Sequence, residues 1–183
     1  ADWSWEGTWD QWVLNFDTKN TALNYNGIAV PSLSCTGQWI WGAVPELSIP
    51  SLALETNTGK ITGSLELKGD APTLYTNLEG GSNLSELFDF IETDLLVNPM
   101  GFWKGDNISL TQGFRSWEDF TPVGNPIFKG DISFFEGAFA LASSNISFEK
   151  VEAELGIDGR NIQIDRCFLQ SGENTAVVTG TIY

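Results

Sequence analysis

The sequence predicts an all-β fold: a curved antiparallel sheet, or a sandwich, of repeated short strands with β-bulges and one short helix near residues 84–92. Three observations support this prediction. Apolar and polar residues alternate along much of the chain, and glycine, proline or Asn-Thr-Gly interrupts them about every 8–12 residues. One eight-residue pattern also recurs four times. The 183 residues fit a single all-β domain, or one segment excised from a longer envelope protein.

The recurring pattern consists of two apolar pairs separated by a two-residue hinge. Its copies span residues 28–35, 47–54, 146–153 and 162–169. Because side chains alternate between strand faces with a period of two, the two pairs of each copy would point to opposite faces. An extra residue at the hinge corrects this, so we predict a β-bulge there, with a full turn between separate strands as the alternative. The four hinges are Pro31-Ser32, Pro50-Ser51, Glu149-Lys150 and Asp165-Arg166.

The remaining strands follow from the same alternation. We expect strands near 11–17, 22–26, 27–41, 46–56, 60–68, 127–135 and 138–142, followed by the last two copies and the final residues 177–183. That final stretch is similar to residues 60–67, since both contain Thr-Gly, so the second and fourth copies share a following strand. Residues 98–126 form the least regular part, rich in glycine, proline and aromatic residues.

One segment has a helical period instead. Its apolar residues stand at i, i+3, i+4 and i+7, namely Leu84, Leu87, Phe88 and Ile91. Asn83 is placed to accept an amide hydrogen bond as N-cap, and Glu86 is placed to reach back and complete a capping box. We therefore expect a helix over about residues 84–92 that lays its apolar stripe over one end or edge of the sheet.

The composition narrows the classes of partner. The chain has 24 acidic and 9 basic residues, a net charge of −15, which argues against nucleic acid or an anionic membrane surface. No apolar run reaches the roughly 18 residues that a membrane-spanning helix needs. The chain opens at Ala1 and its only methionine is Met100, so we expect a processed or excised piece, with possible continuation of the same protein at both ends.

Residues with catalytic chemistry are sparse. The absence of histidine excludes Ser-His-Asp and Cys-His catalysis and histidine-ligated zinc, and neither a phosphate-binding glycine loop nor a CxxC pair occurs. Carboxylate pairs of the glycosidase type would be Glu6 with Asp10, or Glu118 with Asp119. With 24 acids on one domain most must be solvated, so we expect no enzyme, no metal site and no cofactor.

The two cysteines, Cys35 and Cys167, take matching places in the first and last copies of the pattern. We interpret them as buried free thiols, because free cysteine packs as a small apolar residue. A long-range disulfide between them is the alternative, and it would imply an oxidising compartment.

Six of the eight tryptophans lie within the first 41 residues. Spacing places Trp39 with Trp41, and Trp3 with Trp5, on one face of a strand. Exposed, such rings would form a platform on which sugars stack. Facing inward they would be core or groove lining, which we favour.

The copies of the pattern and the segments around them resemble the repeating unit of AsmA-like bacterial envelope proteins and their TamB-like relatives. The residues that carry this resemblance are Gly37-Gln38-Trp39, Leu47-Ser48-Ile49, Leu54-Glu55-Thr56, residues 62–67, residues 148–155, Ile162-Gln163-Ile164 and residues 178–182. The resemblance covers residues 27–68 and 127–183. It implies a large protein of the periplasm or cell envelope, anchored by a preceding helix, whose strands form a half-open apolar trough for lipid acyl chains. The high aromatic content and residues 98–126 depart from that pattern.

Three functions are therefore open. The leading hypothesis is a non-enzymatic envelope segment for lipid transport or outer-membrane biogenesis, whose apolar strand faces shelter lipid chains. Its candidate residues, for each of which ordinary core is the alternative, are Ile28, Val30, Leu47, Ile49, Leu52, Leu54, Ile162, Ile164 and Leu169. The second hypothesis is a secreted β-sandwich that stacks carbohydrate on Trp39, Trp41, Trp103 or Trp117. The third is a structural or adhesion module without a small ligand.

Overall fold

The computed structural model describes residues 2–8, 10–25, 28–90, 96–144 and 146–183, without the side chains of residues 23–31, 89 and 90. The described residues form one antiparallel sheet of eleven strands, in which each strand pairs with its neighbours in sequence. The strands are β1 (Asp2–Thr8), β2 (Gln11–Tyr25), β3 (Ile28–Trp41), β4 (Glu46–Glu55), β5 (Lys60–Lys68), β6 (Thr73–Asn83), β7 (Leu96–Phe114), β8 (Pro122–Leu141), β9 (Ser147–Asp158), β10 (Asn161–Ser171) and β11 (Asn174–Ile182). One helix, α1 (Leu84–Phe90), connects β6 to β7.

The sheet is a single curved layer that does not close. Strands β1 and β11 form its two edges, and no pairing joins them in the described part of the chain. The predicted all-β curved sheet is therefore confirmed. Within the described residues no second sheet packs on the first, so the sandwich alternative does not form.

The bulges predicted at the four hinges are confirmed. From Ile49 to Leu52 the chain advances three residues, while the paired residues on β5 advance only two, from Leu65 to Gly63. Each of the other hinges also carries one residue more than the strand opposite. On β4, β9 and β10, the apolar residues before and after the hinge consequently share one face of the sheet. The alternative prediction, a full turn at each hinge, is wrong, because each hinge lies inside one continuous strand.

The prediction for the middle of the chain is wrong in part. Most of residues 98–126 belongs to the long strands β7 and β8, and only residues 115–121 between them are irregular. The pairing of β7 with β8 shifts register at four places, so the period of two is interrupted too often to be recognised. Strands β1 and β6 were likewise not predicted, and residues 22–26 are the end of β2 rather than a separate strand.

The helix and its N-cap are confirmed. The side-chain oxygen of Asn83 accepts a hydrogen bond from the backbone N–H of Glu86 at 3.0 Å. The predicted capping box closes indirectly, however: the Glu86 carboxylate accepts from the Thr58 hydroxyl at 2.7 Å, and that hydroxyl accepts from the backbone N–H of Asn83 at 3.0 Å. The helix packs on β6 and β7. Ile91 and the predicted end at residue 92 lie outside the described residues.

The carboxyl of Glu86 makes the free energy of unfolding depend on pH in the acid range. Burial alone would raise the pKa of this carboxyl, but hydrogen bonds from Thr56, Thr58 and the backbone of Asn57 bring its pKa below the ordinary value. A carboxyl with a lowered folded-state pKa stabilises the fold above its unfolded pKa, about 4.3, and that contribution is lost as the pH falls through the folded-state pKa. We expect Glu86→Gln to lower the free energy of unfolding at neutral pH and to approach wild type once the pH falls below the lowered folded-state pKa of this carboxyl. Urea titrations at several pH values measure this, and a deficit that does not change with pH would contradict it.

The core is thin for a chain of this size. Apolar side chains that are fully shielded in the described residues are few, among them Leu84, Ile108 and Val151. The solvent-accessible surface is 11589 Å², whereas a compact protein of 20.1 kDa exposes roughly 8,700 Å². The excess follows from the single-layer architecture, because no second sheet packs on either face in the part of the chain that the structure describes.

Candidate functional site

The pairing register assigns each strand residue to one of two faces, since residues opposite each other in an antiparallel pair point to the same side. On β4 the apolar residues Leu47, Ile49, Leu52 and Leu54 pair with Leu67, Leu65, Gly63 and Ile61 of β5. Glu46 and Glu55 pair with Lys68 and Lys60 on the other side. We call the side of Leu47 the uncharged face and the opposite side the charged face.

The uncharged face runs across all eleven strands. No Asp, Glu, Lys or Arg occurs among the residues that the register assigns to it. Its larger members from β1 to β6 include Trp3, Trp5, Trp12, Leu14, Phe16, Leu33, Trp39, Trp41, Leu47, Ile49, Leu52, Leu54, Ile61, Leu65, Leu67, Leu74 and Leu78. From β7 to β11 they include Trp103, Ile108, Leu110, Phe128, Ile132, Phe134, Phe139, Phe148, Val151, Leu155, Ile157, Ile162, Ile164, Leu169, Val178 and Ile182.

The charged face carries the ion pairs of the strands. Lys104 pairs with Asp106 at 2.7 Å, and Lys129 pairs with Asp158 at 2.8 Å. These pairs are largely exposed, so each contributes at most about 1 kcal/mol. They mark the charged face as the solvated side of the sheet.

The structure places the predicted lipid-sheltering residues on the uncharged face in two groups. Leu47, Ile49, Leu52 and Leu54 lie on β4, and Ile162, Ile164 and Leu169 lie on β10, six strands away. All seven side chains are half-buried, and no second sheet of the described residues covers them. The backbones of Ile28 and Val30 pair with Tyr25 and Leu23 on β2, and their side chains lie outside the described set.

A cluster of tryptophans occupies one corner of the uncharged face. Trp12 pairs with Trp41, and Leu14 pairs with both Trp5 and Trp39. The rings of Trp39 and Trp41 lie 6.1 Å apart. The five tryptophans Trp3, Trp5, Trp12, Trp39 and Trp41 are 39% to 67% exposed. Of these, the sequence selected only Trp39 and Trp41 as site residues. The shared parity of Trp3 with Trp5 was the signal for the larger cluster.

The four tryptophans proposed for sugar stacking do not come together. Trp103 lies on β7, four strands from β3, and its indole N–H donates to the Ser82 hydroxyl at 3.0 Å. Trp117 lies outside the sheet in the loop after β7, where its N–H donates to the carbonyl of Gly69 at 2.9 Å. Of these four tryptophans, Trp39 and Trp41 are the two whose exposed rings are adjacent.

The cysteines are free thiols, as interpreted, but both are half-buried rather than buried. Cys35 lies on β3 and Cys167 on β10, both on the uncharged face and seven strands apart. A disulfide needs Cα atoms within about 7 Å, so the disulfide alternative is wrong for this fold. Partial burial raises the pKa of the Cys167 thiol, which keeps it protonated and unreactive at neutral pH.

Of the acidic residues considered for catalysis, Asp119 has a local structural role. Asp119 accepts hydrogen bonds from Thr121 and forms an ion pair with Arg115 at 2.8 Å. These contacts lower the pKa of the Asp119 carboxyl. Glu6 lies on the charged face, opposite Val13 of β2. In the described part of the chain no group of three potential ligands is placed to hold a metal ion. No described helix is long and apolar enough to cross a bilayer.

Fold and site together define a class: an open, single-layer antiparallel sheet with one continuous uncharged face and one charged face. Comparison of the chain with protein-family models, curated proteins and solved structures found no match.

Proposed function

We propose that this chain is a non-enzymatic segment of a bacterial envelope protein, located in the periplasm or cell envelope, that shelters lipid acyl chains on its uncharged face. The observation that carries the proposal is the continuity of this face: eleven strands contribute to it, none contributes a charge by register, most of its aliphatic side chains are only half-buried, and its tryptophans on β1 to β3 are exposed. The resemblance of the repeats to AsmA-like proteins supports the same role.

The energetics of exposure favour a bound apolar partner. Each 100 Å² of apolar surface withdrawn from water is worth roughly 2.5 kcal/mol. A large uncovered apolar surface is unusual for a soluble monomer and is typical of a ligand or partner site. An acyl chain fits this surface because it needs no hydrogen-bonding or charged group, and the face offers none that is charged.

Lipid analysis of the purified protein tests the proposal. We expect native mass spectrometry of protein expressed in bacteria to show adducts with phospholipid masses, which solvent extraction confirms as lipid. The protein's high acidic content predicts that headgroups remain outside the sheet, away from carboxylates. A clean apo mass at a sensitivity that detects a few per cent occupancy would contradict the proposal.

A second candidate is carbohydrate binding, favoured by the exposed rings of Trp39 and Trp41. Adjacent aromatic faces stack on the apolar faces of sugar rings without needing charge. Titration of the tryptophan fluorescence with soluble glycans tests it. A saturable shift that is lost in Trp39→Ala supports sugar binding, and an unchanged spectrum contradicts it.

A further inference from the structure

The outer edge of β11 is an unprotected strand edge. All nine of its residues are exposed, and in the described part of the chain it pairs only with β10. The strand contains no charged residue and no proline, and no helix of the described residues packs against it. Natural proteins usually block such edges with lysine, proline, a bulge or a covering element, because an open edge accepts a further strand.

The sheet contains a second strand with the Thr-Gly pattern of β11, namely β5, and its outer edge is occupied. Strands β3, β4 and β5 carry the first two copies of the pattern and the Thr-Gly strand that follows. Strands β9, β10 and β11 carry the last two copies and the similar Thr-Gly strand. In the first block β6 pairs along the outer edge of β5. In the second block the same edge has no described partner.

The two blocks match in the faces of their strands but not fully in register. In the first block Leu65 pairs with Ile49. The equivalent residues of the second block are Ile182 and Ile164, but Ile182 pairs with Ile162, two residues before Ile164. A shift of two residues keeps every side chain on its face. Strand β11 therefore presents its apolar residues to the same side as β5 does.

The glycine of the Thr-Gly pair supports the equivalence. Gly63 and Gly180 have φ of 158° and 146°. A Cβ added to Gly63 would collide with the β6 backbone, at the carbonyl oxygen of Asn77 and 2.9 Å from the Cα of Leu78. A Cβ added to Gly180 would meet nothing within 4 Å. Strand β11 thus keeps a glycine at the position where, on β5, the next strand approaches too closely for any side chain.

We propose that the outer edge of β11 binds an extended peptide segment with the pattern of β6, antiparallel, with a leucine opposite Gly180. In β6 the residues facing the uncharged side are Leu74, Thr76 and Leu78, and those facing the charged side include Tyr75 and Glu79. A bound segment of this kind would extend both faces of the sheet by one strand. Main-chain hydrogen bonds supply its affinity and the alternating side chains supply its specificity. The proposal does not rest on lipid binding.

A synthetic peptide with the sequence of residues 73–83 is the probe. We expect a fluorescently labelled peptide to bind the purified protein saturably in an anisotropy titration, and a shuffled peptide of equal composition not to bind. Alternate amides of a strand point to the same edge. Of two peptides N-methylated at even or at odd positions, one should therefore bind at least about tenfold more weakly and the other like the parent. Absence of saturable binding, or equal binding by both methylated peptides, would overturn the proposal.

Cross-linking tests the register and the edge. In β5 Ser64 pairs with Asn77, so Thr181 is expected opposite the residue equivalent to Asn77. In a protein with Cys35→Ala and Cys167→Ala, we expect Thr181→Cys to form a disulfide with a peptide carrying cysteine at the Asn77 position. The control is Ser4→Cys, an exposed residue on the opposite edge strand. Equal cross-linking of the two proteins, each confirmed as folded by circular dichroism, would overturn the assignment.

Discussion

Replacement of Ile164 by glutamate is expected to remove co-purifying lipid from the protein, while the same replacement of the neighbouring Gln163 leaves the lipid content unchanged. The two residues are adjacent on β10 but lie on opposite faces, because Ile164 pairs with Leu155 and Gln163 pairs with Gly156. Ile164 is half-buried on the uncharged face, and Gln163 is exposed on the charged face. A carboxylate at position 164 would place a charge against the acyl chain, whereas at position 163 it remains in water.

The expected effect is large because a charge is poorly tolerated next to hydrocarbon. Loss of about 1.4 kcal/mol of binding free energy already reduces occupancy tenfold when binding is weak, and desolvation of a carboxylate costs more than this. We therefore expect at least about a tenfold reduction in lipid per protein for Ile164→Glu. Native mass spectrometry gives the occupancy, and urea unfolding gives the stability of both variants in the same preparation.

The matched design separates lipid binding from folding. Ile164→Gln, which is polar but uncharged, controls for the loss of the isoleucine itself and is expected to keep more lipid than Ile164→Glu. A folded Ile164→Glu protein that carries as much lipid as wild type would contradict a ligand site on this part of the uncharged face. Equal loss of lipid in Gln163→Glu would instead indicate an effect of net charge.

The sequence predicted those parts of the fold that depend on local rules. The parity argument located all four hinge bulges, because within one continuous strand of period two an extra residue is needed to keep Ile49 and Leu52 on one face. The N-cap at Asn83 followed from the same kind of local chemistry. The partner of Glu86 did not, since Thr58 lies in the turn between β4 and β5 and only the folded sheet brings it near.

The open, single-layer architecture could not be predicted from the sequence. An inward-facing strand of a sandwich and an uncovered strand show the same alternation, and the difference lies in whether another layer is present. The tryptophan corner depends on long-range pairing as well, since only the register of β1, β2 and β3 brings Trp5, Leu14 and Trp39 into one row. The irregular β7 was missed because its four register shifts with β8 hide the strand period.

Deletion of both Pro50 and Ser51 is expected to destabilise the protein by roughly 1.5–3 kcal/mol, because Leu52 would then follow Ile49 directly and successive side chains of a strand point to opposite faces. Leu52 and Leu54 would point to the charged face, or the strand before them would have to slip instead. A fully buried leucine contributes roughly 1.5–3 kcal/mol, and these two are half-buried, so misplacing both removes about that amount. Deletion of Ser51 alone is the matched comparison, because it leaves Ile49 and Leu52 two residues apart, as their partners Leu65 and Gly63 are on β5, and so keeps the leucines on the uncharged face.

Pro50→Ala is the control for the double deletion, since it changes the chemistry of the hinge but keeps the number of residues. We expect it to change the free energy of unfolding by less than about 1 kcal/mol, because Pro50 is exposed and the bulge itself stays. Urea unfolding followed by tryptophan fluorescence measures all of these variants. If the double deletion were as stable as Pro50→Ala, the number of residues in the hinge would not be what keeps the apolar residues of β4 together. The uncharged face would then lose its physical basis at this strand, since without a bulge the present sequence places Leu47 and Leu54, seven residues apart, on opposite sides of the sheet.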